Sequence, residues 1–434
     1  MRGKSAAILI LSVLLAAGMS YYYFGLFLPR VQSARAVQNL ASGYAFGADF
    51  YPIWLTSREC LQGRHNPYDS QVTREIQRGL FGRTMSRAIP GDPPSDYRAF
   101  SYPAFVSLLG VSVAWLPFAG ARMVVALLLA FLNGASVFLW TGALRWKVSR
   151  SSLIVIVILV FSSYPVLEGL YAGQIGLFVG FLMAAVFFAL NQDSQYTAGA
   201  LLALTTMKPQ VSMLLILYLL LWAGADWKRR RTFALTFLIT AAALFCAPLP
   251  IWPHWPLDWV HTLLNYGNYS RPPLLPDLFG PYAGTVLTIL LLAIAFRLAW
   301  KNRRVPPSSP EFALTVAVLL ALTVLILLPE HAVYDHVILL PGIILVIRHW
   351  HVIWQRSAVV RSTLAIAAAA FFWPWMAALF VGIAYVVAPQ QASALMLVPL
   401  RTAAAIPFLV LGILLFYWRF REREIGEPGS VANS

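Results

Sequence analysis

The chain is short of charge. Lys, Arg, Asp and Glu make up 11% of its 434 residues, only 17 residues are acidic, and none of those precedes Asp49. Set against 59% hydrophobic residues and a mean hydropathy of +0.71, that scarcity excludes a water-soluble globule of this size. Cysteine is scarcer still. Cys60 and Cys246 offer no metal-ligand spacing, and Cys246 lies in an apolar run, so neither a disulfide framework nor thiol redox chemistry is indicated. A P-loop and a dinucleotide fingerprint are also missing, which removes the usual signatures of nucleotide chemistry.

What the chain does have is apolar runs, and a bilayer-crossing helix needs about 20 such residues. The first run, from Ser5 to Leu28, is too long for a signal-peptide core and reads as an uncleaved helix that starts in the cytoplasm. Further segments are Tyr102–Leu116, Met123–Leu144, Leu153–Leu170, Ile175–Leu190, Tyr196–Met207, Val211–Ala223, Phe233–Leu249, Tyr282–Trp300, Phe312–Pro329, His336–Ile347, Thr363–Val387 and Ala394–Trp418. The expectation is an all-α polytopic membrane protein, one integral domain over residues 1–434 with about 11 to 13 transmembrane segments. Residues 29–100 form the first extracytoplasmic loop, with short interfacial helices near Tyr51–Leu61 and Ser70–Leu80 and a turn at "GDPPSD". Residues 419–434 form a short cytoplasmic tail.

The net charge of +15 comes from short basic clusters between apolar runs: Arg145–Arg150, Lys228–Arg231, Lys301–Arg304, Arg348–Arg361 and Arg419–Arg423. These are the marks of cytoplasmic loops in contact with membrane lipids, not of a nucleic-acid site. One conflict remains. If Tyr102–Leu116 and Met123–Leu144 both cross, Arg145–Arg150 falls outside; otherwise one of the two is partial or re-entrant. In the outer loop around "IWPHWPLDWV", Trp252, Trp255, Trp259 and Tyr266 read as an interfacial aromatic belt.

Ionisable residues at the edges of apolar segments are costly and so are functional candidates. Asp49, flanked by Phe46, Phe50 and Tyr51, reads either as a loop carboxylate or as a catalytic base. Lys208, on the corner "TTMKPQ", reads either as a snorkelling anchor or as a phosphate clamp. "LLPEHAVYDHVILL" gathers Glu330, His331, Tyr334, Asp335 and His336 without the HExxH spacing of a zinc helix, so hydrogen bonding to sugar or phosphate suits it better than metal. Gln174 sits at another turn on the same side, and Tyr102 and Gln210 complete the substrate-binding candidates. An outer-face site has no ATP or sugar nucleotide at hand, so a synthetic reaction there needs a lipid-borne activated donor. Its chemistry needs one base and cations for the departing phosphate.

Six stretches in order, "GADFYPIW", "LQGRHNPYD", "FSYPAFVSLL", "GQIGLFVGFLMAA", "AGALLALTTMKPQ" and "HAVYDHVILLPGI", resemble the glycosyltransferase 87 family from about residue 45 to 345. Ala104 stands where that family often has a second proline. The resemblance implies a GT-C-type bundle in the cytoplasmic (inner) membrane with its active site on the extracytoplasmic side. It implies transfer of a sugar, mannose by default, from a polyprenyl-phosphate donor to a glycolipid or polysaccharide acceptor. Asp49 would be the base, Lys208, His331, Tyr334 and Asp335 would bind substrate, and neither a metal nor another cofactor would be needed. The alternatives are a lipid or sugar flippase and a non-catalytic assembly subunit.

Overall fold

The computed structural model describes residues 2–426 apart from 38, 64, 268, 330, 331, 356 and 357. Among the described residues the regular elements are helices, and six are long and apolar enough to cross a membrane: Ser5–Ala36, Phe118–Ala143, Pro281–Lys301, Pro310–Leu327, Val360–Val387 and Val398–Trp418. The protein is polytopic. Pro310–Leu327 is the centre of the bundle. Apolar all round and 83% buried, it is packed on every side by other helices.

The two expected loop helices form at Tyr51–Gln62 and Ser70–Phe81, each stopped by a left-handed glycine, Gly63 and Gly82. In the second, Val72, Ile76, Leu80 and Phe81 recur at helical spacing and are all buried. "TTMKPQ" also breaks as expected. The Gln195–Leu204 helix ends in a single 3-10 turn, and Pro209 starts a new helix, because a proline ring disfavours helical backbone at the residue before it.

Leu153–Leu170 is not one straight span. It divides into Arg150–Phe161 and Tyr164–Ala172, bent by 58°. Pro165, in the first turn of the second piece, cannot donate the backbone bond that would continue the first. The last helix, Ile406–Gly426, runs past residue 419.

Hydrogen bonds between turns define two ends. At one, Arg348 donates to the Leu144 carbonyl, and Gln195 donates to that of Arg229 at 2.9 Å. Arg230, lying over the Trp222 ring at 4.0 Å, donates to the carbonyls of Trp222, Arg303 and Arg304 at 2.7, 3.0 and 3.1 Å. This is the basic end. At the other, Asn66 donates to Asp258 at 2.7 Å, Trp259 to the Ser101 carbonyl at 3.0 Å and Tyr269 to the Asp96 carbonyl at 3.2 Å. Those bonds stitch the first long loop to the 250–280 stretch.

This arrangement removes the conflict over Arg145–Arg150. The segment expected to cross at Tyr102–Leu116 holds only the ten-residue helix Phe105–Ala114. At about 1.5 Å per residue it reaches roughly half of a hydrocarbon core of about 30 Å. It lies against Tyr51–Gln62 instead, with Ser107 donating to Thr56 at 3.0 Å and the Trp54 indole to the Leu116 carbonyl at 3.1 Å. Phe118–Ala143 is then the one of the two long enough to cross, and the turn after it joins the other basic turns. The aromatic belt is corrected too. Trp252 and Trp255 are buried in a cluster with Ala104, because the loop folds back onto protein.

Candidate active site

The turn carrying Asp49 docks onto the end of Tyr164–Ala172. Gly47 N–H donates to the Tyr171 carbonyl at 2.8 Å and Asp49 N–H to the Ala172 carbonyl at 3.0 Å, satisfying carbonyls that a helix end leaves unpaired. The flanking aromatics pack on protein. Phe50 is buried and stacks on Phe118 at 6.5 Å, Phe46 tilts against Tyr171 at 5.6 Å, and Tyr51 meets Phe118 edge-on at 4.9 Å. Arg122, over the Phe46 ring at 5.3 Å, donates to the Phe46 carbonyl at 3.2 Å.

Asp49 Oδ1 is paired with the Arg98 guanidinium, and Gln174 donates to Oδ2 at 2.5 Å. Arg98 is delivered by a shaped loop. Fully buried Gln77 donates to the Ser95 and Tyr97 carbonyls at 2.9 and 2.8 Å and accepts from Met85 N–H at 2.9 Å. Arg83 grips Asp92 with two bonds of 2.6 Å, so "GDPPSD" is a tied turn. Burial opposes the Arg98 charge, yet Asp49 and Tyr97 together outweigh it and push the guanidinium pKa up.

Gln174 also links Asp49 to the next group, because its Oε1 accepts from Lys208 Nζ at 3.4 Å. Lys208 is 5% exposed, pairs with Asp335 Oδ1 at 2.7 Å and lies over the Tyr334 ring at 4.8 Å. Burial pushes the Asp335 carboxyl up, with the Lys208 ammonium opposing. The result is one chain of contacts, Arg98–Asp49–Gln174–Lys208–Asp335, drawn from five separate segments. Its geometry depends on two glycines. Gly173, at φ +74°, turns the chain at the helix end within reach of Phe50, and a Cβ on Gly176 would overlap Asp335 Oδ1.

Of the candidates read from the sequence, Asp49, Gln174, Lys208, Tyr334 and Asp335 come together here. Tyr102 lies within Coulombic reach of Asp49 and Asp335, and burial together with those two carboxylates pushes its phenol pKa up, keeping it a donor. Gln210 is exposed beyond the Lys208 corner and makes none of these contacts. Glu330 and His331 lie outside the described residues. Arg98, Arg122 and Glu168 were not singled out from the sequence. Glu168 carried a signal: it is a lone carboxylate inside a run counted as membrane-spanning.

The described residues thus form a many-helix membrane protein with a chain of paired charges, buried at Lys208 and Asp335 and part-exposed at Arg98 and Asp49, beside two loops bonded to each other. The glycosyltransferase family 87 model matches residues 100–329, more than half of the chain. The protein belongs to that family and is a membrane glycosyltransferase. No curated protein and no solved structure matches it. The matched stretch includes Tyr102, Gln174 and Lys208, whereas Asp49 and Asp335 join the site from either side of it.

Proposed function

We propose that the protein transfers a hexose, mannose by default, from a polyprenyl-phosphate donor to a hydroxyl of a glycolipid or polysaccharide on the extracytoplasmic side of the cytoplasmic membrane. The carrying observation is the contact chain itself, which sets a carboxylate and two cations beside one another under the two polar loops. The basic turns gather at the opposite end, as cytoplasmic loops do. A GT-C-type bundle is the architecture this reading expects.

In the reaction, the acceptor oxygen attacks the anomeric carbon as its proton passes to Asp49. The bond from that carbon to the phosphate oxygen breaks, and its electron pair leaves with the polyprenyl phosphate. The phosphate thereby goes from one negative charge to two. Lys208 and Arg98 are the cations on hand for it, and charge developed in a site shielded from water is stabilised most. In the free protein both cations are held by carboxylates and both Asp49 oxygens are occupied. Binding of the donor phosphate would therefore compete with Asp335 and Asp49 for the cations, and the Gln174 amide must turn away before Asp49 takes a proton. A single lipid phosphate with two cations beside it needs no metal for its departure, and no further cofactor enters.

The test is a donor assay with membranes containing the protein, a labelled polyprenyl-phosphate mannose and endogenous acceptors. Label appearing in glycolipid or polysaccharide supports the reading. Labelled donor crossing the bilayer without transfer would overturn it in favour of a flippase.

A further inference from the structure

Glu168 stands apart from the other carboxylates of the site. Asp49 and Asp335 each hold a cation, whereas Glu168 Oε2 is buried with no hydrogen-bond partner among the described residues. It lies one helical turn before Ala172, the residue whose carbonyl receives the Asp49 N–H, and within Coulombic reach of both Asp49 and Asp335. An unpartnered carboxylate oxygen within an apolar bundle is costly to keep. A ligand that brings a donor removes that cost.

The surroundings say what the ligand is. Tyr164 and Tyr171 share the Glu168 face of their helix at i−4 and i+3. Tyr23, from the first helix, meets both rings edge-on at 5.5 and 6.2 Å. Tyr23 belongs to a π-helical stretch, Tyr21–Phe27, a strained form often found at functional sites. Tyr23 and Tyr164 are buried against one another, so Tyr171 is the part-exposed ring beside a part-exposed carboxyl that can accept from a sugar hydroxyl. The cations that would hold a phosphate lie with Asp49 and Asp335, so what Glu168 is placed to meet is a hydrogen-bond donor. The same aromatic cluster joins the first helix to Ala358–Val387. Those two helices expose Leu11, Leu14, Phe380 and Ile383, so the cluster borders surface suited to lipid.

We infer that Glu168 accepts a hydrogen bond from a ring hydroxyl of the donor hexose and so determines which hexose is transferred. The inference rests on the reading above that the donor is a polyprenyl-phosphate hexose. The donor phosphate then reaches Lys208 and Arg98 while its sugar turns toward Glu168, leaving Asp49 free for the acceptor.

The experiment compares transfer from a polyprenyl-phosphate hexose and its monodeoxy analogues by the wild-type protein, Glu168→Gln and Glu168→Ala. The wild type should lose about 10- to 100-fold in kcat/KM for one deoxy position, the range expected when a buried polar group loses its hydrogen-bond partner. Glu168→Ala should be slower with the parent hexose but should no longer penalise that one position, while penalties at the other positions persist. Should Glu168→Ala fail to fold, near-isosteric Glu168→Gln carries the test, with a reduced penalty at that position alone. A merely structural role would slow all donors alike and leave the pattern unchanged, which overturns the inference. A coupling that appears only with deoxy acceptors also overturns it. Absence of transfer from every polyprenyl-phosphate hexose by the wild type overturns the function reading itself and this inference with it.

Discussion

Lys208→Met replaces the ammonium with an apolar chain of similar length and leaves Asp335 without its counter-ion. The two side chains are 6% and 2% exposed, so solvent does little for the abandoned carboxylate. Breaking such a buried pair costs about 3–5 kcal/mol. Protonation sets a ceiling. A carboxyl with an ordinary pKa of about 3.9 takes roughly 1.36 × 3.1, or about 4 kcal/mol, to protonate at pH 7, and about 1.5 kcal/mol at pH 5. Burial already pushes Asp335 up, and losing Lys208 pushes it further. A group whose folded pKa lies above its unfolded one favours the folded state at low pH and loses that advantage as pH rises. The stability deficit of Lys208→Met should therefore be small at pH 5 and grow to about 4 kcal/mol by pH 7. Adding Asp335→Asn removes the stranded charge, so the double variant should recover most of the stability at pH 7. Neither variant should regain transfer, because the cation for the departing phosphate is gone. Thermal unfolding in detergent at both pH values, run beside the donor assay, reads both quantities. A double variant that is stable and transfers near the wild-type rate would show that Lys208 is only a structural counter-ion. A deficit that does not change with pH would refute the account of Asp335.

Asp49→Asn keeps the shape of the side chain but cannot accept the acceptor proton, so transfer should fall about 10²- to 10⁴-fold in a protein that still folds; near-normal transfer would move the base elsewhere. Gly176→Ala should lower turnover and thermal stability together, because its methyl group displaces the Asp335 carboxylate from Lys208; unchanged unfolding and turnover would count against that packing. With Cys60 and Cys246 replaced by Ser, a cysteine at exposed Gln71 should react with an impermeant reagent on intact cells and one at exposed Arg229 should not; the reverse pattern would put the site in the cytoplasm. Transfer should also survive EDTA, and loss of activity restored by a divalent cation would reopen the region around Glu330 and His331 as a metal site.

Much of this was legible locally. The helices at Tyr51–Gln62 and Ser70–Phe81 follow from apolar spacing and a stopping glycine, both of which act within a turn or two. The corner at Lys208 follows from Pro209, its immediate neighbour. Asp49, Gln174, Lys208 and Asp335 could be picked out because polar groups are rare in so apolar a chain.

What joins them could not be read that way. Lys208 and Asp335 are 127 residues apart, and Gln174 and Asp49 are 125 apart. Arg98, one of several arginines in the first loop, meets Asp49 from a loop whose backbone Gln77 holds. Hydropathy measures how readily a segment leaves water, and it does not say whether lipid or protein receives it. For that reason Tyr102–Leu116 and the tryptophans at 252 and 255 looked like membrane elements yet pack against other parts of the chain. For the same reason Glu168 passed as one polar residue in a span until the bend after Phe161 turned its helix toward Asp49. Composition and local propensity determined a helical membrane protein and the kinds of group it would use. Packing of distant segments decided which of those groups meet, because the energy of an ion pair depends on a distance that only the folded chain sets.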